Sequence, residues 1–240
     1  MTPTPTPTLT PTPSVTPATA DPVISIAGSD STVRNVSNSG SIVWRNTTDV
    51  LGVGTSVIHD LSYNVYASTS LNTVSKLNSS GVEQWTYTAA DDVTSLAISS
   101  ADNLILGTFD NKVIKLNPAG AFLWEYDAGV IIHSVAVDAN HYVYAGGADG
   151  KVYVLTGAGV LITSYSIATD AILGLATDHK NNIYASSRDN TLTKLSQLGT
   201  VAWTFNGHTS DVNDVAVDED ERVYTASTDG TIRKLDKNGN

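Results

Sequence analysis

Asp211-Val-Asn-Asp-Val-Ala-Val217, Asp218-Glu-Asp-Glu-Arg222, Val223-Tyr-Thr-Ala-Ser227, Asp229-Gly230 and Thr231-Ile-Arg-Lys-Leu235 follow one another near the end of the chain. The first run alternates apolar and polar residues as a half-buried strand does, and the second is a polar turn. The third and fifth runs are again strand-like, and Asp229-Gly230 between them reads as a hairpin turn. Three short strands joined by tight turns in some 25 residues exclude a helical unit, which would need long stretches of 3.6-residue periodicity.

The same unit recurs upstream. Val65-Tyr66-Ala67-Ser68, Tyr144-Ala145-Gly146, Tyr184-Ala185-Ser186 and Tyr224-Thr225-Ala226 align, with weaker copies at Ile26-Ala27-Gly28 and Ile105-Leu106-Gly107, at spacings of 39 or 40 residues. Gly40, Gly81, Gly120, Gly159, Gly199 and Gly239 keep a second register. Trp44, Trp85, Trp124 and Trp203 keep a third, each four residues after its Gly; the fourth copy has Thr163 there. A period near 40 residues made of short apolar runs predicts four strands per repeat and an all-β, six-bladed β-propeller over residues 23–240. Asp110-Asn111, Asp149-Gly150, Asp189-Asn190 and Asp229-Gly230 are expected as two-residue type I′ turns, and Leu71-Asn72 as a less comfortable version. The reading gives 22 strands where six full blades need 24. The candidate for the missing innermost strand is Val15 to Ala20, interrupted by Pro17, and the outer edge of the last blade is expected open or covered by a partner.

Residues 1–22 differ in kind. Thr2, Thr4, Thr6, Thr8, Thr10 and Thr12 interleave with Pro3, Pro5, Pro7, Pro11 and Pro13, and only Pro118 of the eight prolines lies beyond Pro22. Such a segment favours an extended polyproline II arm at about 3.1 Å per residue, suited to a tether or docking segment.

The body resembles two repeat families. Val152-Tyr-Val-Leu155 before Gly159, and Leu192-Thr-Lys-Leu195 before Gly199 and Trp203, resemble the PQQ-like (quinoprotein-type) repeat, whose blades are locked by a Trp on the outer strand. Gly207-His208, Asp211 to Asp218 and Ser227-Thr-Asp229 resemble a WD40 repeat, although no Trp-Asp dipeptide occurs. The quinoprotein likeness implies a quinone cofactor with calcium and often a vicinal disulfide; a chain with no cysteine and six copies rather than the usual eight does not fit that implication, so no cofactor is expected.

Thirteen basic against 24 acidic residues give a net charge of −11, which opposes nucleic acid and anionic membranes as partners. The absence of cysteine removes thiol nucleophiles and Cys-ligated metals. No Gly-x-Ser-x-Gly elbow occurs, and His59, His133, His141, His179 and His208 share no spacing with a carboxylate pair, so no catalytic residues are assigned and no enzyme is expected. Asp218-Glu219-Asp220-Glu221 could attract a cation but reads first as a solvated turn, and no metal site is assigned. Lys76, Lys115, Lys194 and Lys234 read as stems along their blades with solvated or paired ammonium groups, with an anion-binding ring as the alternative. The tryptophans are expected between blades; sugar pockets repeated in each blade are the alternative.

These features describe a non-catalytic binding module on an arm. Its Met-Thr-Pro-Thr-Pro start, with no signal peptide ahead of it, resembles N-terminal segments of some bacteriophage structural proteins. The expected role is a virion component, decorating a capsid or associated with a tail, that meets a protein partner through residues 1–22; a carbohydrate-binding propeller for cell-surface attachment is the alternative. The expected location is the virion, or otherwise the cytoplasm or the outside of the cell without a classical signal peptide.

Overall fold

The computed structural model describes residues 23–28, 30–37, 39–46 and 53–240. The proposed arm, the Val15 to Ala20 strand and the 22/23 boundary lie outside these residues. Six antiparallel sheets follow in chain order as six propeller blades. Blade 1 holds β1 (Val23–Ala27), β2 (Val33–Ser37) and β3 (Ile42–Asn46); blade 2 holds β4 (Gly54–His59), β5 (Val65–Thr69), β6 (Thr73–Leu77) and β7 (Glu83–Thr88). Blade 3 holds β8 (Val93–Ile98), β9 (Leu104–Thr108), β10 (Lys112–Leu116) and β11 (Phe122–Asp127); blade 4 holds β12 (Ile132–Val137), β13 (Val143–Gly147), β14 (Lys151–Leu155) and β15 (Leu161–Ser166). Blade 5 holds β16 (Ile172–Thr177), β17 (Ile183–Ser187), β18 (Leu192–Leu195) and β19 (Val201–Phe205), and blade 6 holds β20 (Val212–Val217), β21 (Val223–Ser227) and β22 (Ile232–Leu235). The 22 strands match the number read from the sequence, three in each terminal blade, and there is no helix among the described residues.

The core is not one mass but five layers, each between successive blades. Tyr66 and Val74 of blade 2 meet Leu96, Leu104 and Leu106 of blade 3, and Tyr184 and Leu192 of blade 5 meet Val215, Val223 and Leu235 of blade 6. The second strand of each middle blade is therefore covered on both faces, and all five residues of β5, β9, β13 and β17 are buried. This is why Leu104-Ile-Leu-Gly-Thr108 does not alternate, whereas outer strands such as β7 and β11, solvated on one side, do.

Two sequence expectations need correction. The hairpin turns are not type I′: only their second residue, Asn72, Asn111, Gly150, Asn190 or Gly230, has positive φ. In Ser187-Arg188-Asp189-Asn190 the Asn190 N–H donates to the Ser187 carbonyl (3.3 Å) and the Ser187 N–H to the Thr191 carbonyl (3.0 Å), a type I turn closed by one left-handed residue and a bulge. Asp at the preceding position is explained by its side chain, which caps Thr191 in this turn. The first copy is also displaced by one: Ser25 faces Asn35 and Asn35 faces Trp44, as Tyr66 faces Lys76 and Lys76 faces Trp85, so Ser25 rather than Ile26 holds the marker position. Because β3 carries Trp44, blade 1 is described through its second, third and outer strands.

At the other end β22 is the outermost described strand of blade 6, and no described strand pairs with its outer edge. The face beyond it is uncovered by described residues too. Ile232 is 79% exposed, whereas Leu192, at the same position one blade earlier, is 0% exposed.

Candidate functional site

The inner strands β4, β8, β12, β16 and β20 share a local irregularity. Each has a β-bulge at its second residue where it pairs with the next strand outward, at Thr55, Thr94, His133, Leu173 and Asn213. A bulge re-aims a side chain, and these five all line a cavity of about 340 Å³ around the blade axis, joined by Phe109 from the hairpin of blade 3. An adjoining cavity of about 410 Å³ adds Ser56, Ser95, Ser134 and Asp214. Its residues come from five blades at spacings of 39 or 40, yet their identities differ, so the sequence shows no motif there.

Much of the axial polarity fastens the blades. The Thr55 hydroxyl donates to the Val93 carbonyl (3.0 Å) and that of Thr94 to the Ile132 carbonyl (2.5 Å). The Val135 N–H donates to Ser95 Oγ (3.1 Å) and the Leu175 N–H to Ser134 Oγ (3.0 Å). Besides Asp92 at the cavity edge, two titratable groups stand at the axis. Desolvation by the surrounding inner strands raises the Asp214 carboxyl above its ordinary range, against a single opposing N–H from Val215. Burial, with Arg188 assisting, lowers the His133 imidazole, which meets Phe109 edge-on at 6.3 Å. The axis thus disfavours added charge and offers hydroxyl, carboxamide and apolar surface.

The repeated tryptophans sit between blades, as the core reading holds. Each indole N–H crosses to a carbonyl in the next blade: Trp44 to Ser79 (3.0 Å), Trp85 to Pro118 (3.1 Å), Trp124 to Gly157 (3.1 Å) and Trp203 to Lys237 (3.0 Å). The ring lies on the Gly two residues further on, where a Cβ would stand 2.7 Å from Trp44 at Gly81 and 2.6 Å from Trp124 at Gly159. The Gly and Trp registers in the sequence are thus two sides of one contact. The lysines join it rather than forming a ring: Lys76 and Lys194 lie over Tyr66 and Tyr184 and 3.9 Å from Asp60 and Asp178, while Lys115 donates to the Gly157 carbonyl at 2.8 Å.

A further repeated pair escaped the sequence reading. Asp178 accepts from the Lys180 and Asn182 N–H groups, the Asn182 carboxamide and the Tyr184 hydroxyl, the last at 3.0 Å. Asp60 with Tyr66, Asp138 with Tyr144 and Asp218 with Tyr224 repeat the arrangement. Blade 3 drops both partners together, with Ser99 and Ile105 in their places. The Asp-x₅-Tyr spacing was the available signal. It also explains the acidic turn: Asp218 and Asp220 pair with Arg222, and Glu221 with Lys180. Burial raises the Asp218 carboxyl, but the Arg222 backbone and side chain and the Tyr224 hydroxyl outweigh it and bring it down to about 2. Among the described residues no group of three or more His, Asp or Glu is placed to hold a metal.

Two histidines stand near a carboxylate: His179 Nε2 is 3.9 Å from Glu221, and His208 is held closer, its Nδ1 2.8 Å from Asp229 and its Nε2 2.8 Å from the Thr225 hydroxyl, all within the WD40-like copy. His208 is buried and bridges β21 to the turn before β22, a structural link.

Comparison with known proteins agrees with this geometry. Residues 199–235 match the family model described as WD domain, G-beta repeat, the segment that holds the His208 link. No curated protein matches the chain. Among 1576 matching solved chains is the crystal structure of the computationally designed Ika8 protein, with a TM-score of 0.73 and 20% identity over 90% of this chain and 68% of that one. A shape so widely shared establishes architecture alone. Residues 29–172, more than half of the sequence, match the PQQ-like family model described as outer membrane protein assembly factor BamB, and the chain belongs to that family of propellers.

Proposed function

We propose that the protein is a non-catalytic presentation module, a virion component of a bacteriophage, in which residues 1–22 dock into a larger protein assembly and the propeller displays its axial opening and turns. The observation that carries the non-catalytic part is the use made of the polar side chains: the Thr and Ser hydroxyls of the inner strands and the His208–Asp229 pair are engaged in holding blades and turns together. A stiff body with its polar groups so engaged is suited to binding by shape. The composition of the arm supports the tether. Deletion of residues 2–20 tests the reading: the shortened protein should fold yet fail to join its assembly, and normal incorporation overturns the proposal.

A carbohydrate-binding role is the second reading. The indole N–H groups and one ring face are engaged between blades, so the observation favouring it is instead the hydroxyl, carboxamide and carboxylate lining of the axial cavity at Thr55, Ser56, Asn213 and Asp214. A glycan array with the full chain and Asn213→Ala separates the two: sugar binding lost in the variant supports the lectin, and no sugar binding by the full chain removes it.

A further inference from the structure

The contact between blades 4 and 5 lacks the two side chains that complete the contacts made by blades 2, 3 and 5 with the blade after each. Where Lys76 faces Trp85, Lys115 faces Trp124 and Lys194 faces Trp203, blade 4 has Val154 facing Thr163. The missing atoms leave a cavity of about 160 Å³, lined by Tyr144, Val154, Thr163 and Tyr165 from blade 4 and by Gln197 and Leu198 from blade 5. That volume is close to the roughly 150 Å³ of an engineered apolar cavity that binds benzene.

The polar side of the same contact is left incomplete. The equivalent carbonyl in the next blade accepts an indole N–H and a lysine ammonium at Pro118 (3.1 and 3.4 Å), Gly157 (3.1 and 2.8 Å) and Lys237 (3.0 and 3.5 Å). Among the described residues no donor is paired with the corresponding Gln197 carbonyl. Tyr165 has taken over only the glycine-covering part of the role, its ring lying where a Cβ on Gly199 would stand. At the mouth, Leu198 is 85% exposed, an apolar lip without a covering partner. Tyr144 stands at the wall with its hydroxyl on Asp138 (2.9 Å), so its ring edge is held in place.

We infer that this cavity is a binding site for an indole-type aromatic group, seated against Tyr144 and Tyr165 with its ring N–H donating to the Gln197 carbonyl. The site supplies from outside what the four tryptophans supply from within the chain. A flat aromatic face suits the tyrosine walls, and an N–H donor satisfies an acceptor whose equivalent receives an indole N–H at all four sister sites. The inference is independent of how the arm is used.

The test is methyl-detected NMR of the full chain titrated with indole, 1-methylindole and N-acetyltryptophanamide. Indole should give saturable shifts confined to the methyls of Val154, Ile162 and Leu198, and 1-methylindole, which has no N–H, should bind about tenfold more weakly. Thr163→Trp, which supplies the indole in cis, should abolish the shifts. Leu198→Ser, a surface change that leaves the fold intact, should weaken binding about fivefold through lost apolar contact, and this keeps the proposal testable if Thr163→Trp does not fold. Binding of N-acetyltryptophanamide equal to that of indole supports the site and assigns it to a tryptophan side chain of a partner; binding of free indole alone supports it as a small-molecule site. No saturable shift, shifts spread over other blades, or undiminished binding in folded Thr163→Trp overturns it.

Discussion

Gly159 and Gly230 have nearly the same backbone conformation, with φ of 81° and 82°, but different surroundings. At Gly230 nothing lies within 4 Å of where a Cβ would stand; at Gly159 the Cδ2 and Cε3 atoms of Trp124 would be 2.6 and 2.8 Å away. Replacing either by Ala brings the left-handed penalty of an L-residue, about 1–2 kcal/mol. At Gly159 the indole must also give way, disturbing its 3.1 Å bond to Gly157 and the Lys115 ammonium beside it, at the ~1–3 kcal/mol typical of overpacking. Gly159→Ala should therefore destabilise by about 2–5 kcal/mol and Gly230→Ala by about 1–2 kcal/mol. Urea denaturation of both variants, of Trp124→Ala and of Trp124→Ala/Gly159→Ala completes a double-mutant cycle. With the indole gone, Gly159→Ala should cost only the Gly230→Ala amount. Equal costs for the two single glycine variants, or strict additivity in the cycle, would refute the claim that the repeated Gly exists to receive the Trp.

Asp178→Ala strands four donors around a buried carboxylate position and should cost about 3–5 kcal/mol, against about 1 kcal/mol for Tyr184→Phe, both read from urea midpoints. Asp218 and Asp214 should respond to acid with opposite signs. The folded carboxyl of Asp218, at about 2, lies below its ordinary value of 3.8, so its contribution is present above that value and fades as pH falls toward 2. Asp218→Asn should thus destabilise at pH 7 and progressively less in acid. Asp214 is raised, so its ionised form opposes folding; Asp214→Asn should stabilise at pH 7, with the gain vanishing as the wild-type carboxyl protonates, both followed by thermal unfolding across pH. Thr94→Val should lose one interblade bond, about 1 kcal/mol by urea midpoint, with an unchanged far-UV circular dichroism spectrum.

Particular residues show where the reading of the chain stopped. Strand positions, blade count and the interblade role of Trp85, Trp124 and Trp203 were legible because each rests on a side chain of one type returning every 39 or 40 residues. Asp60, Asp138, Asp178 and Asp218 were equally periodic, but their purpose needs the Tyr six residues on to be seen folded back over the turn. In the hairpins Asx-Gly tolerates two left-handed residues, whereas the bulged pairing requires only one. The axial residues were not legible at all: Thr55, Thr94, His133, Leu173 and Asn213 have nothing in common except a place.

By itself the sequence determined the repeat, its all-β character and the apolar positions that must be covered, because local periodicity and turn chemistry act within a few residues. Only the tertiary structure decided which face meets which blade, which side chains the bulges turn toward the axis, and that Val154 and Thr163 leave a vacancy rather than a filled contact. Those outcomes depend on groups more than 30 residues apart, such as Trp124 and Gly157, being brought together by the packing of one blade on the next, and no local property of the chain encodes that distance.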